Sequence, residues 1–148
     1  MQGRKSHPDN KQRERMNEKH DDLVKKIRED PLILNESGIL FFEREKIVKI
    51  IPEPRIGIYI SDLGIQYGGN IFLFLDVKTD VGRSMSEWDD RVKKSYHQKN
   101  IEKFKKRYSL DIKDIVPDFI AVVKDPWETR VYHPYKFRIP NAEYYRKK

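Results

Sequence analysis

The segment "IFLFLDVK" runs five apolar residues, Ile71 to Leu75, directly into Asp76, and Lys78 follows two positions later. Residues i and i+2 of a strand share a face, so Asp76 and Lys78 emerge together past the apolar stretch. A second carboxylate, Asp62, follows the apolar segment "IGIYIS", across a turn that contains Gly68 and Gly69. The turn decides whether the two acids meet. A loop of Gly68, Gly69 and Asn70 sets Asp62 opposite Asp76, with Cβ atoms about 4.5–5.5 Å apart. A loop of Gly68 and Gly69 alone opposes Asp62 to Leu75 and splits the carboxylates between faces. Odd-length loops with a left-handed Gly or Asn are common, and the longer loop is the expectation.

Two carboxylates at that separation repel unless a cation lies between them. Both are hard oxygen donors suited to Mg²⁺ or Mn²⁺. A metal held there would polarise a phosphate oxygen and lower the pKa of a bound water. The Lys78 ammonium would stabilise charge on the attacked phosphate or orient the water. These are the requirements for hydrolysing a phosphodiester. The acid-x-Lys pattern is weak by itself, since it occurs at Asp9–Lys11, Asp76–Lys78 and Asp111–Lys113, and only the middle copy ends an apolar strand. The competing reading is a solvated strand terminus with a local salt bridge.

The elements that must position these residues follow from periodicity and punctuation. Asp9 or Asn10 caps a helix running to about Glu29, with Met16, Leu23, Val24 and Ile27 at helical spacing and Pro31 stopping it. "ILFF" (39–42) and "KIVKII" (46–51) read as strands joined by the turn "EREK", "RIGIYISD" (55–62) as a third strand and "NIFLFLDVK" (70–78) as a fourth. Ser84 to Glu87 matches a capping box that opens one long helix to about Tyr108, with Val92, Tyr96, Ile101, Phe104 and Tyr108 toward the sheet. "DFIAVV" (118–123) is a fifth strand, and "TRVYHPYKFRI" is extended, placed at an edge by Pro134. The order α-β-β-β-β-α-β-β, with the fourth strand, the long helix and the fifth strand forming a β-α-β unit, makes an α/β fold with a central mixed sheet flanked by helices. "IFLFL" is apolar on both alternating sides, so it is central and covered on both faces.

These residues resemble the PD-(D/E)XK, restriction-endonuclease-like nuclease superfamily, nearest to archaeal Holliday-junction-resolvase-like nucleases. The resemblance rests on Asp62-Leu63, the Gly68-Gly69-Asn70 turn, "IFLFL" and Asp76-Val77-Lys78, and extends over roughly 62–123 through "IEKFKKRY" and "DFIAVV". It implies a restriction-endonuclease-like core, Asp62 and Asp76 as metal ligands, Lys78 as the catalytic lysine, Mg²⁺ or Mn²⁺ as cofactor, duplex or branched DNA as substrate, and a homodimer. Ser61 stands where the family has Pro. The family's first helix supplies a Glu, and alignment through "DLVKKI" puts His20 in that place. A helical wheel agrees, setting His20 on the face of Met16 and Ile27 while Glu18 points away; Glu18 takes the role only if the helix is shifted. Glu87, shortly after the Asp76 motif, is a further candidate, against its reading as the capping-box acid.

Composition sets the outer bounds. At 148 residues the chain suits one domain, taken as 9–140, with a flexible basic arm at 1–8 and a basic tail at 141–148. A net charge of +7 favours polyanionic partners, nucleic acid above all. In the long helix, Lys93, Lys94, Lys99 and Lys103 are candidates for phosphate contact, against a plain solvated face. The absence of cysteine excludes disulfides and thiolate metal sites and fits an intracellular protein. No apolar run approaches a membrane span, and "MQGRKSHPDN" lacks the pattern of a signal peptide. The competing function is a non-catalytic basic DNA- or RNA-binding protein. It would keep the basic faces and scatter Asp62, Asp76 and Lys78.

Overall fold

The structure, a computed structural model, describes residues 10–38, 40–69, 71–78, 83–108, 116–124 and 127–132. The proposed basic arm and tail, Pro134 and the Asp9 cap lie outside them. Helix α1 (Asn10–Glu29) is followed by a 3₁₀ segment, Pro31–Ser37, whose start is capped by Asp30 accepting from the Leu32 N–H. Strand β1 is Ile47–Pro52, β2 Arg55–Ile56, β3 Tyr59–Ile60, β4 Leu63–Tyr67 and β5 Ile71–Val77. Helices α2 (Arg83–Ser95) and α3 (Gln98–Arg107) precede β6 (Val116–Val123) and β7 (Glu128–Tyr132). The main sheet has the order β1-β4-β5-β6-β7, and β2-β3 forms a separate ribbon. The β5–β6 pair is parallel and the others are antiparallel, so the sheet is mixed.

Strand β5 is central, and all seven of its residues are buried. Its odd positions, Ile71, Leu73, Leu75 and Val77, pack with Ile27 of α1, Leu34 and Phe42. Its even positions, Phe72 and Phe74, pack with Trp88 and Val92 of α2, Ile101 and Phe104 of α3, and Tyr59. The two cores make a three-layer arrangement.

Three expected elements differ, each for a local reason. Of "ILFF", the described residues Leu40–Phe42 form no strand, Leu40 making only an isolated bridge. Asn35 accepts from the Phe42 N–H (2.7 Å) and donates to the Phe42 carbonyl (3.0 Å), so a side chain satisfies the backbone that a strand ladder would otherwise pair. "RIGIYISD" divides before the acid. Residues 55–60 fold back on themselves, with Arg55 paired to Ile60. The excursion is closed at its base by Ser61 N–H to the Pro54 carbonyl (3.0 Å) and Glu53 N–H to the Asp62 carbonyl (3.2 Å). Asp62 therefore stands immediately before sheet strand β4 rather than ending an apolar one.

The single long helix is two. On a continuous wheel at roughly 100° per residue, Met85, Trp88, Val92 and Tyr96 form one stripe, and Ile101, Phe104 and Tyr108 form another roughly 150° away. Both stripes reach the sheet only if the chain breaks between them. It does so at His97, which is extended (φ −154, ψ 162), while the Asn100 side chain takes the freed Ser95 carbonyl at 2.9 Å. Helix α2 already includes Ser84 in its first turn, so Ser84 is not the residue before the helix that a capping box requires.

Candidate functional site

Strands β4 and β5 are joined through Gly68, Gly69 and Asn70, with Tyr67 opposite Ile71 and Leu63 opposite Leu75. Gly68 adopts φ +59, the left-handed conformation that such a loop uses. This is the longer of the two loops considered, and continuing its register sets Asp62 against Asp76.

The two acids are tied through each other's backbone. The Asp62 N–H donates to Asp76 Oδ1 at 3.0 Å, and the Val77 N–H donates to Asp62 Oδ2 at 2.8 Å. Their outer partners come from opposite faces of the sheet. On the α1 side, His20 Nε2 meets Asp62 Oδ2 at 3.1 Å, while His20 Nδ1 meets Asp21 at 3.0 Å. On the α2 side, the Tyr59 hydroxyl donates to Asp76 Oδ2 and accepts from Trp88 Nε1 at 3.0 Å. Asp62 is half-buried and opens into a shallow groove with His20, Lys25 and Arg28, whereas Asp76 is 5% exposed.

These surroundings push the two acids apart in acidity. Burial raises Asp62, but the His20 hydrogen bond, the Val77 N–H and the charges of His20 and Lys78 outweigh it and leave the carboxyl below its ordinary range. Burial raises Asp76 to about 6. The Asp62 charge adds to the rise, against the Tyr59 hydrogen bond and the charge of Lys78. Lys78 thus acts on both carboxylates, and its N–H is fixed to the Val122 carbonyl at 2.7 Å. Burial first, then the Asp76 charge, holds the Tyr59 hydroxyl well above its usual range.

Among the described residues, no group of three or more His, Cys, Asp or Glu side chains is arranged to hold an ion. Mg²⁺ characteristically uses one or two carboxylates and takes its remaining ligands from water and phosphate. Asp62 and Asp76, at the open end of the β4–β5 hairpin, are the carboxylates that could supply that donor set; Asp76 is buried, and its two oxygens accept from Tyr59 and the Asp62 N–H.

The other candidates divide. His20 meets Asp62, in agreement with the helical wheel, while Glu18 lies in α1 with its side chain outside the described ones. Glu87 is exposed on α2. Lys93 and Lys94 are exposed and bonded to Asp89 (2.9 Å) and Asp90 (3.7 Å) one turn earlier, the pattern of a solvated helix face. Lys99 is exposed. Lys103 lines a groove with Arg55, Lys106 and Arg107. Tyr59 has no signal in the sequence, because its place on Asp76 depends on the β2–β3 fold-back.

Comparison with family models, with curated proteins and with solved structures returned no match.

The fold-back and the α1 contact each carry a testable energy. Tyr59→Phe leaves the buried Trp88 N–H and one oxygen of Asp76 without their partner. We expect a loss of about 1–3 kcal/mol in a urea titration; a change under 0.5 kcal/mol would refute the bridge.

His20 is raised to about 9, chiefly by its Asp62 hydrogen bond, with burial opposing and Asp21 assisting. Its folded value exceeds the ordinary value of about 6.5. Its stabilisation is therefore complete below that value and is lost as pH rises through about 9. After allowance for solvent screening, the expected difference between wild type and His20→Gln is ~1 kcal/mol at pH 6 and near zero at pH 10. A difference independent of pH would contradict the charged contact.

Proposed function

We propose that this protein is a metal-dependent endonuclease that hydrolyses DNA phosphodiester bonds. The observation that carries the reading is that, at one end of the central hairpin, Asp76 accepts from the Asp62 N–H and Asp62 from the Val77 N–H, with the charge of Lys78 acting on both carboxylates. The mixed sheet, with a parallel crossover through α2 and α3, supports a restriction-endonuclease-like core.

Asp62 and Asp76 are the residues that would hold Mg²⁺ or Mn²⁺, which when bound polarises a phosphate oxygen and acidifies a water. The chain's own groups do the positioning. His20 and the Val77 N–H orient Asp62, and Tyr59 and the Asp62 N–H orient Asp76. The Lys78 ammonium attracts the charge that develops on the phosphate. Cutting both strands requires two such sites, so the working species in this reading is a homodimer.

The test is incubation with linear, supercoiled and branched DNA in Mg²⁺ or Mn²⁺. Cleavage is expected to stop with EDTA and in Lys78→Ala. Cleavage that survives both would sink the mechanism.

One observation favours a second reading, a non-catalytic nucleic-acid-binding protein. Both oxygens of Asp76 are already engaged by the protein's own donors. Absence of cleavage with every substrate and metal, alongside retained DNA binding, would select it.

A further inference from the structure

A groove on the α2–α3 side of the sheet is lined by Arg55, Lys103, Lys106 and Arg107, together with Gly57 and Asn100. None of these described lining residues is acidic. A basic last turn alone would be accounted for by the negative end of the α3 dipole. Here, however, Arg55 comes from the β2–β3 ribbon, and Lys103 lies a turn before the end of α3.

The walls are fixed to one another. The Arg55 N–H donates to the Tyr108 hydroxyl at 3.0 Å. Gly57, at φ +61, lies so close to α3 that a Cβ there would stand 2.5 Å from Asn100 Nδ2. Asn100 is itself held by the Ser95 carbonyl. Four cationic side chains are thus presented from two elements of set spacing. The same ribbon carries Tyr59 onto Asp76, so groove and candidate site share a support.

We infer that this groove binds the phosphate backbone of nucleic acid, with Arg55, Lys103, Lys106 and Arg107 as the contacting groups. The inference deepens the nuclease reading by assigning where that substrate's backbone lies, and it holds equally for a protein that binds without cutting. Phosphate contacts reveal themselves through salt, because each one releases counterions and contributes about 0.9 to the slope of log affinity against log salt on duplex DNA.

The experiment is fluorescence anisotropy of a labelled 20-base-pair DNA duplex, its single strand and the matching RNA, from low to high salt, in EDTA so that nothing is cut. Lys103→Ala/Arg107→Ala is expected to bind at least tenfold more weakly and to lower the duplex slope by about 2. A charge-matched control, Lys26→Ala/Arg44→Ala, removes two cations from the α1 side of the sheet that are paired with Asp22 and Asp30. It is expected to change affinity less than twofold.

Arg55→Gln, an exposed position on the other wall, is expected to lower the slope by about 1. It decides the matter if the double variant fails to fold by circular dichroism. Equal losses in groove and control variants, an unchanged slope, or equal displacement by polyglutamate of the same charge would overturn the assignment. Cutting is read separately, on the wild-type protein and the groove variants with Mg²⁺ in place of EDTA. Loss of cutting with binding intact therefore speaks to the nuclease reading, and loss of the groove effect with cutting intact speaks to the groove.

Discussion

Asp76→Asn is expected to lower Mg²⁺-dependent DNA cleavage by at least 10³-fold and, in the same protein, to raise stability at neutral pH. The first effect belongs to the proposed nuclease reading, in which one of the two metal-holding carboxylates is removed. The second follows from burial. Asp76 is 5% exposed, beside the Asp62 charge, and its folded pKa is pushed up to about 6. That value lies above the unfolded range, so the folded state holds its proton longer. Stability falls as pH rises from about 4 through 6 and stays reduced above. The amide brings no charge and keeps an acceptor for the Asp62 N–H, while the Tyr59 hydroxyl loses the oxygen it donates to, which offsets part of the gain. A gain on the order of 2 kcal/mol at pH 7.5 is expected in urea titrations without metal, vanishing near pH 4. A variant less stable than wild type at pH 7.5 would refute the account of a poorly compensated buried carboxylate. Full cleavage by a folded variant would refute the nuclease mechanism.

Phe74→Ala is expected to be the most damaging core substitution, at roughly 3–5 kcal/mol. The Phe74 ring stacks on Phe119 (5.0 Å, 11°) and meets Phe104 at 5.0 Å, Phe72 at 5.1 Å and Tyr59 at 6.1 Å. Truncation would open a cavity between the central strand and both sheet-facing helices. Single domains have only about 5–15 kcal/mol in total, so the variant should approach half-unfolding at modest denaturant. Phe74→Leu, which retains most of the volume, should cost about 1–2 kcal/mol. Because Tyr59 rests against this ring, cleavage by the folded fraction should also fall. Equilibrium urea unfolding by tryptophan fluorescence decides it: a loss under 1 kcal/mol for the alanine would show that the ring cluster is not the keystone of this layer.

The strand that carries Asp76 was legible because its signal is local. Five apolar residues covering both faces identify a central strand, and an acid followed two places later by a lysine marks its end. The odd-length glycine turn was legible in the same way, since left-handed glycine is a property of the turn residues themselves. The jump in the apolar stripe after Tyr96 was also present in the sequence, and it accounts for the division of the long helix at His97.

Other features depended on partners distant in the chain. Asn35 claims the backbone of Phe42 and removes an apparent strand. Ribbon β2–β3 leaves the sheet although its sequence reads as continuous with it. His20 reaches Asp62 across 42 positions, and Tyr59 reaches Asp76 only after the fold-back.

By itself, then, the sequence determined the central strand, its glycine turn and the candidate acids, because alternation and turn chemistry act between neighbouring residues; the structure chose between the two registers and set the partner strand at Leu63–Tyr67. The tertiary structure decided which group faces each acid, which acid is raised or lowered, and which cations share a groove. Those outcomes depend on burial and on charges brought together from separate elements, and no spacing along the chain encodes them.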